Sequence, residues 1–445
     1  MKKITELVKK LLNNPLIINI LSVGIITLIV KGLGFYKETL VASTIGLSEL
    51  LDTFYIAILI PSFVQNVFVG SLKNLFIPNY LAEIKSTNKA GEFQSVSFII
   101  ITGMVVILSL LSILFVYFGL EFVFKGHNPL YYELIRMQFY IILPCLLIWG
   151  YSSLIGGLLE IDNKFIISSL TPIFASITTI ICLVFFKEEL RERVLAIGIL
   201  SGSILGFLFL TGYSYSSKNL TLKHPVINSN IRVMIKQLPP KITSGFLTGI
   251  NPFVDQFFAA QLVVGSVSAI NYGIKIPQFI VGILILAIGN VLLPHFSKLT
   301  VENIEKAYQQ LFKVLKLIFG STLVVVVIGI YFSDEIVSFL FERNEFEAED
   351  TLLVADLQRI VLIYVPFYLT TLVLVKFLTS INKNSFMAWV SLWNLILNII
   401  LNSILIKTIG IYGLVLSTTM VYIVSSLFYL GFTLKEFKKL KLNTN

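Results

Sequence analysis

Apolar residues along this chain fall in long blocks separated by short polar stretches. A helix that crosses the hydrocarbon core of a bilayer needs about 20 predominantly apolar residues. Measured against that length, the chain predicts twelve spanning segments, at 15–45, 51–80, 95–119, 134–158, 165–186, 193–213, 233–262, 266–293, 313–341, 352–379, 386–406 and 409–433. The opening MKKITELVKKLLNNPLIINILSVGIITLIV has a basic start and an apolar run but no small-residue cleavage site, so it reads as a retained first helix. The longest polar connection, SYSSKNLTLKHPVINSN, follows the sixth segment. It predicts an N-terminal six-helix half at 1–213, a linker at 214–230 and a C-terminal six-helix half at 231–445.

The two halves carry an internal echo. Residues 60–78, IPSFVQNVFVGSLKNLFIP, and 276–294, IPQFIVGILILAIGNVLLP, share Ile60/Ile276, Pro61/Pro277, Phe63/Phe279, Asn74/Asn290 and Pro78/Pro294 at a constant offset of 216. Both halves start from the same side, which predicts a parallel repeat related by a pseudo-two-fold along the membrane normal. The side is set by lysine and arginine. Twenty lie in one set of alternate connections, from Lys2, Lys3, Lys9 and Lys10 through to Lys441, and six in the other: Lys125, Lys187, Arg191, Arg193, Arg343 and Lys407. The richer side is cytoplasmic by the positive-inside rule, which places both termini there.

Composition agrees. Hydrophobic residues make up 56% of the chain, charged residues 13%, and the mean hydropathy is +0.88, whereas soluble domains carry about 25% charged residues. The net charge of +9 is spread over connections between spans and comes with no nucleic-acid motif. Cys145 and Cys182 both lie in apolar segments, so no disulfide framework is expected.

Charges within the spans narrow the chemistry. Lys31 and Glu38 are seven residues apart, on one helical face, while Lys37 falls on another face and is not expected to be merely the partner of Glu38. Lys275 is held just before Ile276 and Pro277 in the other half. Ammonium groups at membrane depth are costly, which marks them as a candidate electropositive site for phosphates, with snorkelling to an interface or pairing with Glu38 and Asp255 as the structural alternative. Lys73 is expected to snorkel to the cytoplasmic edge, Lys241 to sit at an interface beside Pro239 and Pro240, and Arg136 and Arg359 to pair with Glu133 and Asp356, each three residues earlier. Asp52 opens the second segment, where a carboxylate favours a helix N-terminus. Asp255 lies inside an apolar run, Asn394, Asn398 and Asn402 recur every fourth residue, and Ser417, Thr418 and Thr419 follow in the last segment. Such oxygens suit either a small cation or hydrogen bonds that hold helices together. The sequence has no phosphate loop, nucleophile elbow, HExxH or paired catalytic carboxylates, so it does not read as an enzyme, and transport would draw on an ion gradient, the membrane potential or substrate supply.

KGLGFYKETLVASTIG followed by LDTFYIAILIP, and VDQFFAAQLVVGSVSAINYGIKIPQFIVGILILAIGNVLLPHFSK, resemble the MurJ (MviN) lipid II flippase family across effectively the whole chain. That family belongs to a superfamily that also holds polysaccharide flippases and multidrug exporters. The resemblance implies a V-shaped helical bundle in the bacterial cytoplasmic membrane that moves an undecaprenyl-pyrophosphate-linked peptidoglycan precursor outward by alternating access, in concert with cell-wall synthesis. It also implies pyrophosphate-binding roles for Lys31, Lys37 and Lys275, which stand where the family has cavity arginines, with Glu38 beside the second. Asp52 matches an acidic residue opening the second helix, and Gln65 stands at a further basic position. Asp255, Asn398, Asn402 and Thr418 match a sodium site, so Na+ or H+ is the implied coupling ion. The family has fourteen helices, and twelve suit O-antigen, capsule or teichuronic-type polysaccharide flippases, the alternative reading. A cation-coupled multidrug antiporter would need an acidic cavity, and the embedded charges here are mainly basic.

Overall fold

The computed structural model describes residues 15–86, 89–381 and 383–444. Lys2, Lys3, Lys9 and Lys10 of the sidedness count lie outside the described residues, as do the side chains of Asn290 and Pro294 from the repeat. Among the described residues the secondary structure is helical, apart from one isolated bridge between Arg343 and Phe346.

The helices are α1 (Pro15–Ile45), α2 (Glu49–Ser86), α3 (Ala90–Val123), α4 (Pro129–Ile161), α5 (Phe165–Phe185), α6 (Lys187–Ser216), α7 (Ser229–Gly249), α8 (Asn251–Ala259), α9 (Ser266–Glu302), α10 (Ile304–Tyr331), α11 (Ser333–Phe341), α12 (Ala348–Ser380), α13 (Asn384–Ile409) and α14 (Ile411–Thr444). The twelve predicted segments fall largely on helix, the seventh divided between α7 and α8 and the ninth between α10 and α11. Among the described residues nine helical stretches are long and apolar enough to cross a membrane. The outward faces of α3 and α10 show why: Ile107, Leu110 and Phe118, and Leu317, Val324 and Val327, are exposed. In water such faces would be costly, whereas lipid tails match them.

Local chemistry starts several helices. Asn128 caps α4 by accepting from the Tyr131 N–H, with Pro129 at the first helical position where its missing N–H costs nothing. Asn303 caps α10 through the Lys306 N–H, and Glu347 with Asp350 forms a reciprocal capping box on α12.

The chain forms two compact units, one holding residues up to Val41 together with Thr53–Gly249, the other Ala42–Asp52 and Ile250–Asn445. The first has a core of Leu72, Phe76, Tyr80, Phe93, Ile101 and Leu154. The second is built around Phe296, Tyr308, Leu311, Phe377 and Tyr429. The break falls at Gly249–Ile250, later than the 214–230 linker read from polarity. The reason lies in hydrogen bonding. Gln94 of α3 donates to the Asn219 carbonyl at 2.9 Å and accepts from the Thr221 N–H at 2.8 Å, and Ser95 donates to the Lys223 carbonyl at 2.5 Å. The polar loop is therefore part of the first unit. It carries α7 with it, because Gln237 accepts from Asn79 at 3.1 Å and Asn230 donates to Glu83 at 2.7 Å, both on α2.

Small residues set the closest approach within the first unit. A Cβ on Gly202 of α6 would overlap the Ala175 backbone of α5, and one on Gly198 would stand 2.8 Å from the Thr179 Cα. Thr178 fills the seam by donating to the Gly198 carbonyl at 2.6 Å. Close backbone contact of this kind replaces the hydrophobic drive that lipid removes.

Candidate functional site

On α1, Lys31 is half-buried and makes no ion pair among the described residues. Lys37 pairs with Glu38 at 2.6 Å, with the two side chains 22% and 14% exposed. For Lys37 this is the pairing that stood as the structural alternative to a phosphate-binding role. Backbone angle separates adjacent positions, but a four-carbon lysine stem is long enough to bring its ammonium back to a neighbouring carboxylate. Tyr55 of α2 also donates to Glu38, at 3.4 Å. Lys31, Lys37 and Glu38 belong to the first unit and Lys275, half-buried on α9, to the second.

Two further cations depart from their expected settings. Lys73 does not simply reach an edge, since it pairs with Glu160 of α4 at 2.7 Å. Arg136 pairs with Glu121 at 2.7 Å rather than with Glu133. Arg359 does bond Asp356, at 2.6 Å, and adds Asp334 from α11 at 2.5 Å. These are structural ion pairs.

Asp52 is 2% exposed. It does more than open its own helix: its carboxylate accepts from the Gly265 N–H at 2.7 Å, the Ser268 N–H at 2.7 Å and the Ser268 hydroxyl. These are the orphan donors at the N-terminus of α9, so one buried anion satisfies them and sits at the positive end of the dipole. The same segment is held twice more within the second unit. Glu345 N–H donates to the Ser43 carbonyl at 3.2 Å, and Gly265, in the left-handed region at φ 91°, lies against the Leu47 carbonyl. Gln65 opens a five-residue π turn, Gln65–Val69, in which the Gly70 N–H bonds the Gln65 carbonyl. Pro61 lies one turn earlier inside the helix, where it removes the hydrogen bond to the Ala57 carbonyl.

Asp255, Asn398, Asn402 and Thr418 come together. Asn398 and Asn402 of α13 donate to the Asp255 Oδ1 at 3.1 and 3.0 Å, and Thr418 of α14 donates to its Oδ2 at 3.2 Å. Asn402 also donates to the Asn398 Oδ1 at 3.2 Å, while its own Oδ1 is buried with no partner among the described residues. Of the other residues of that reading, Ser417 donates to the Asn398 carbonyl at 3.5 Å, Asn394 bonds Ser425 at 3.0 Å and Thr419 bonds the Ile360 carbonyl at 3.0 Å, all tying helices together. A cavity of about 130 Å3 adjoins Asp255, lined also by Pro252, Gln256, Gln278, Tyr364 and Tyr422. Those tyrosines and glutamines drew no attention in the sequence, where nothing separates them from ordinary span residues. Among the described residues no group of three or more His, Cys, Asp or Glu side chains is placed to hold a metal ion.

The sequence and fold both have relatives. The family model for the lipid II flippase MurJ matches residues 41–444. A probable lipid II flippase of Buchnera aphidicola subsp. Acyrthosiphon pisum is 28% identical over 416 residues, covering 89% of this chain and 80% of that one. A probable lipid II flippase of Helicobacter pylori strain J99 is 26% identical over 420 residues, covering 89% of each. Among solved structures, a lipid II flippase MurJ in an inward closed conformation superposes with a TM-score of 0.81 at 25% identity, over 95% of this chain and 90% of that one. An inward-facing multidrug resistance MATE family transporter shares the fold alone, with a TM-score of 0.76 at 14% identity, over 95% of this chain and all of that one. With residues 41–444 matched by that family model and nine of its described helical stretches long and apolar enough to cross a membrane, this multi-pass membrane chain belongs to the MurJ lipid II flippase family.

Proposed function

We propose that the protein carries lipid II from the inner to the outer leaflet of the bacterial cytoplasmic membrane by alternating access. The observation that carries this reading is the family match over residues 41–444, joined by the cationic character of the embedded charges. In the first unit Lys31, and Lys37 held by Glu38, supply ammonium groups suited to a phosphate, and in the second unit Lys275 supplies another. Each is a point charge without the bidentate fork of arginine, so what it offers an anion rests on charge more than on geometry. Both termini are cytoplasmic in this reading, which follows from the lysine and arginine bias. Its partners are the lipid-linked glycan, the surrounding lipids and, at the level of the cell, the machinery that makes cell wall.

A monovalent cation is the coupling ion in this proposal, and the residues present fit it. One carboxylate, two carboxamides and a hydroxyl converge, and the buried Asn402 Oδ1 has no other described partner. Hard cations take oxygen ligands, and a single negative charge suits Na+ better than a divalent ion. Asp255, Asn398, Asn402 and Thr418 would hold it, and its binding would supply a charge whose gradient biases the transport cycle.

Rescue of a bacterium depleted of its own lipid II flippase tests the assignment. Growth and normal cell shape are expected. Failure to grow despite membrane expression, together with rescue of a polysaccharide-export mutant, would transfer the assignment to the alternative substrate.

A further inference from the structure

Where α2 passes α7 in the first unit, Asn66, Ser71, Asn74, Lys241, Ser244 and Gly245 line a niche of about 250 Å3. It lies in the middle of an apolar span, Glu49–Ser86, and its construction traces to the π turn. Eight residues of regular helix would set Asn66 and Asn74 about 80° apart, but a π turn absorbs one residue and brings them within about 20° of the same face. Ser71 closes the seam by donating to the Val67 carbonyl at 2.5 Å and the Lys241 carbonyl at 3.3 Å. Gly245 lets α7 lie close, since a Cβ there would already stand 3.2 Å from the Ser71 Oγ and 3.3 Å from the Val67 carbonyl.

The carboxamides of Asn66 and Asn74 and the ammonium of Lys241 make no hydrogen bond or ion pair to the described residues. Polar groups left in this state at membrane depth must face water or a polar ligand, because lipid tails cannot solvate them. Their chemistry separates two ends of an amphiphilic substrate. A pyrophosphate is met by several cations, whereas carboxamides that both donate and accept, a hydroxyl and one cation match hydroxyl, amide and carboxylate groups.

We propose that this niche is a subsite for the glycan–peptide end of the carried lipid, with Asn66 and Asn74 on its hydroxyl and amide groups and Lys241 on a carboxylate. The proposal rests on the lipid II reading and adds a recognition element separate from the pyrophosphate lysines.

The test uses the full chain in nanodiscs and two probes, lipid II and undecaprenyl pyrophosphate, which lacks the glycan and peptide. Asn66→Ala, Asn74→Ala and Lys241→Ala combined should weaken lipid II binding about tenfold or more, and leave undecaprenyl pyrophosphate binding unchanged, which also reports an intact fold. Lys241→Arg alone should keep most of the lipid II affinity. Equal weakening of both probes, or of neither, overturns the subsite while leaving the transported substrate in place. A wild-type chain that fails to bind lipid II at all overturns both.

Discussion

At Asp52 a single buried carboxylate serves three donors of another helix, the Gly265 and Ser268 N–H groups and the Ser268 hydroxyl. Asparagine keeps the shape but loses the charge and one acceptor oxygen, so Asp52→Asn should cost about 2 kcal/mol. A melting curve of the purified protein would then shift down by a few degrees, whereas an unchanged curve would show that α9 needs no such cap. At Asp255 the expectation concerns an ion. Sodium chloride should raise the melting temperature relative to choline chloride at equal ionic strength, because an ion that binds the folded state stabilises it, and Asp255→Ala should abolish the difference. Residue-scale features were unevenly legible. The four-residue spacing of Asn398 and Asn402 placed them on one face, and Asp255 was conspicuous in its apolar run. The partners of Asp52 were not, because Ser268 lies 216 residues away, a separation that equals the offset of the internal repeat. The Lys37–Glu38 pair was legible only as one of two alternatives, because helical angle describes Cβ directions and says little about where a long lysine ends.

Between elements, the α5–α6 seam gives a sharp contrast. Gly202 has the Ala175 backbone against it, while Gly212, on the same helix, has nothing within 4 Å. Gly202→Leu should force the helices apart and sharply lower the yield of monodisperse protein in size-exclusion chromatography, while Gly212→Leu should behave as wild type. Comparable yields from both would mean that the seam tolerates separation. The helices themselves were readable because the bilayer fixes their length and leaves only apolar side chains to meet the lipid. The π turn was not readable: Pro61 weakens the helix nearby, but whether one residue is then absorbed depends on how α7 packs against α2. The same packing moved the unit boundary. A long polar loop looks like a linker until Gln94 and Ser95 are seen to hold its backbone.

For the whole molecule, two compact units and the family match describe a carrier. Fold likeness to a MATE transporter at 14% identity leaves the substrate to be decided by local chemistry, and the embedded charges of this chain are mainly cationic, suited to an anionic lipid. The substrate was legible early only through the two quoted sequence blocks, since composition and periodicity specify a membrane bundle and nothing about its cargo. The most direct test of the central claim is the appearance of lipid II in the outer leaflet of cells in which this chain is the sole flippase, read with a membrane-impermeant reagent that labels its headgroup. Lipid II should become labelled when the chain is expressed, and labelling should fall when Lys31→Ala is expressed at the same level. Wild-type protein present in the membrane with labelling no greater than in depleted cells would contradict the account.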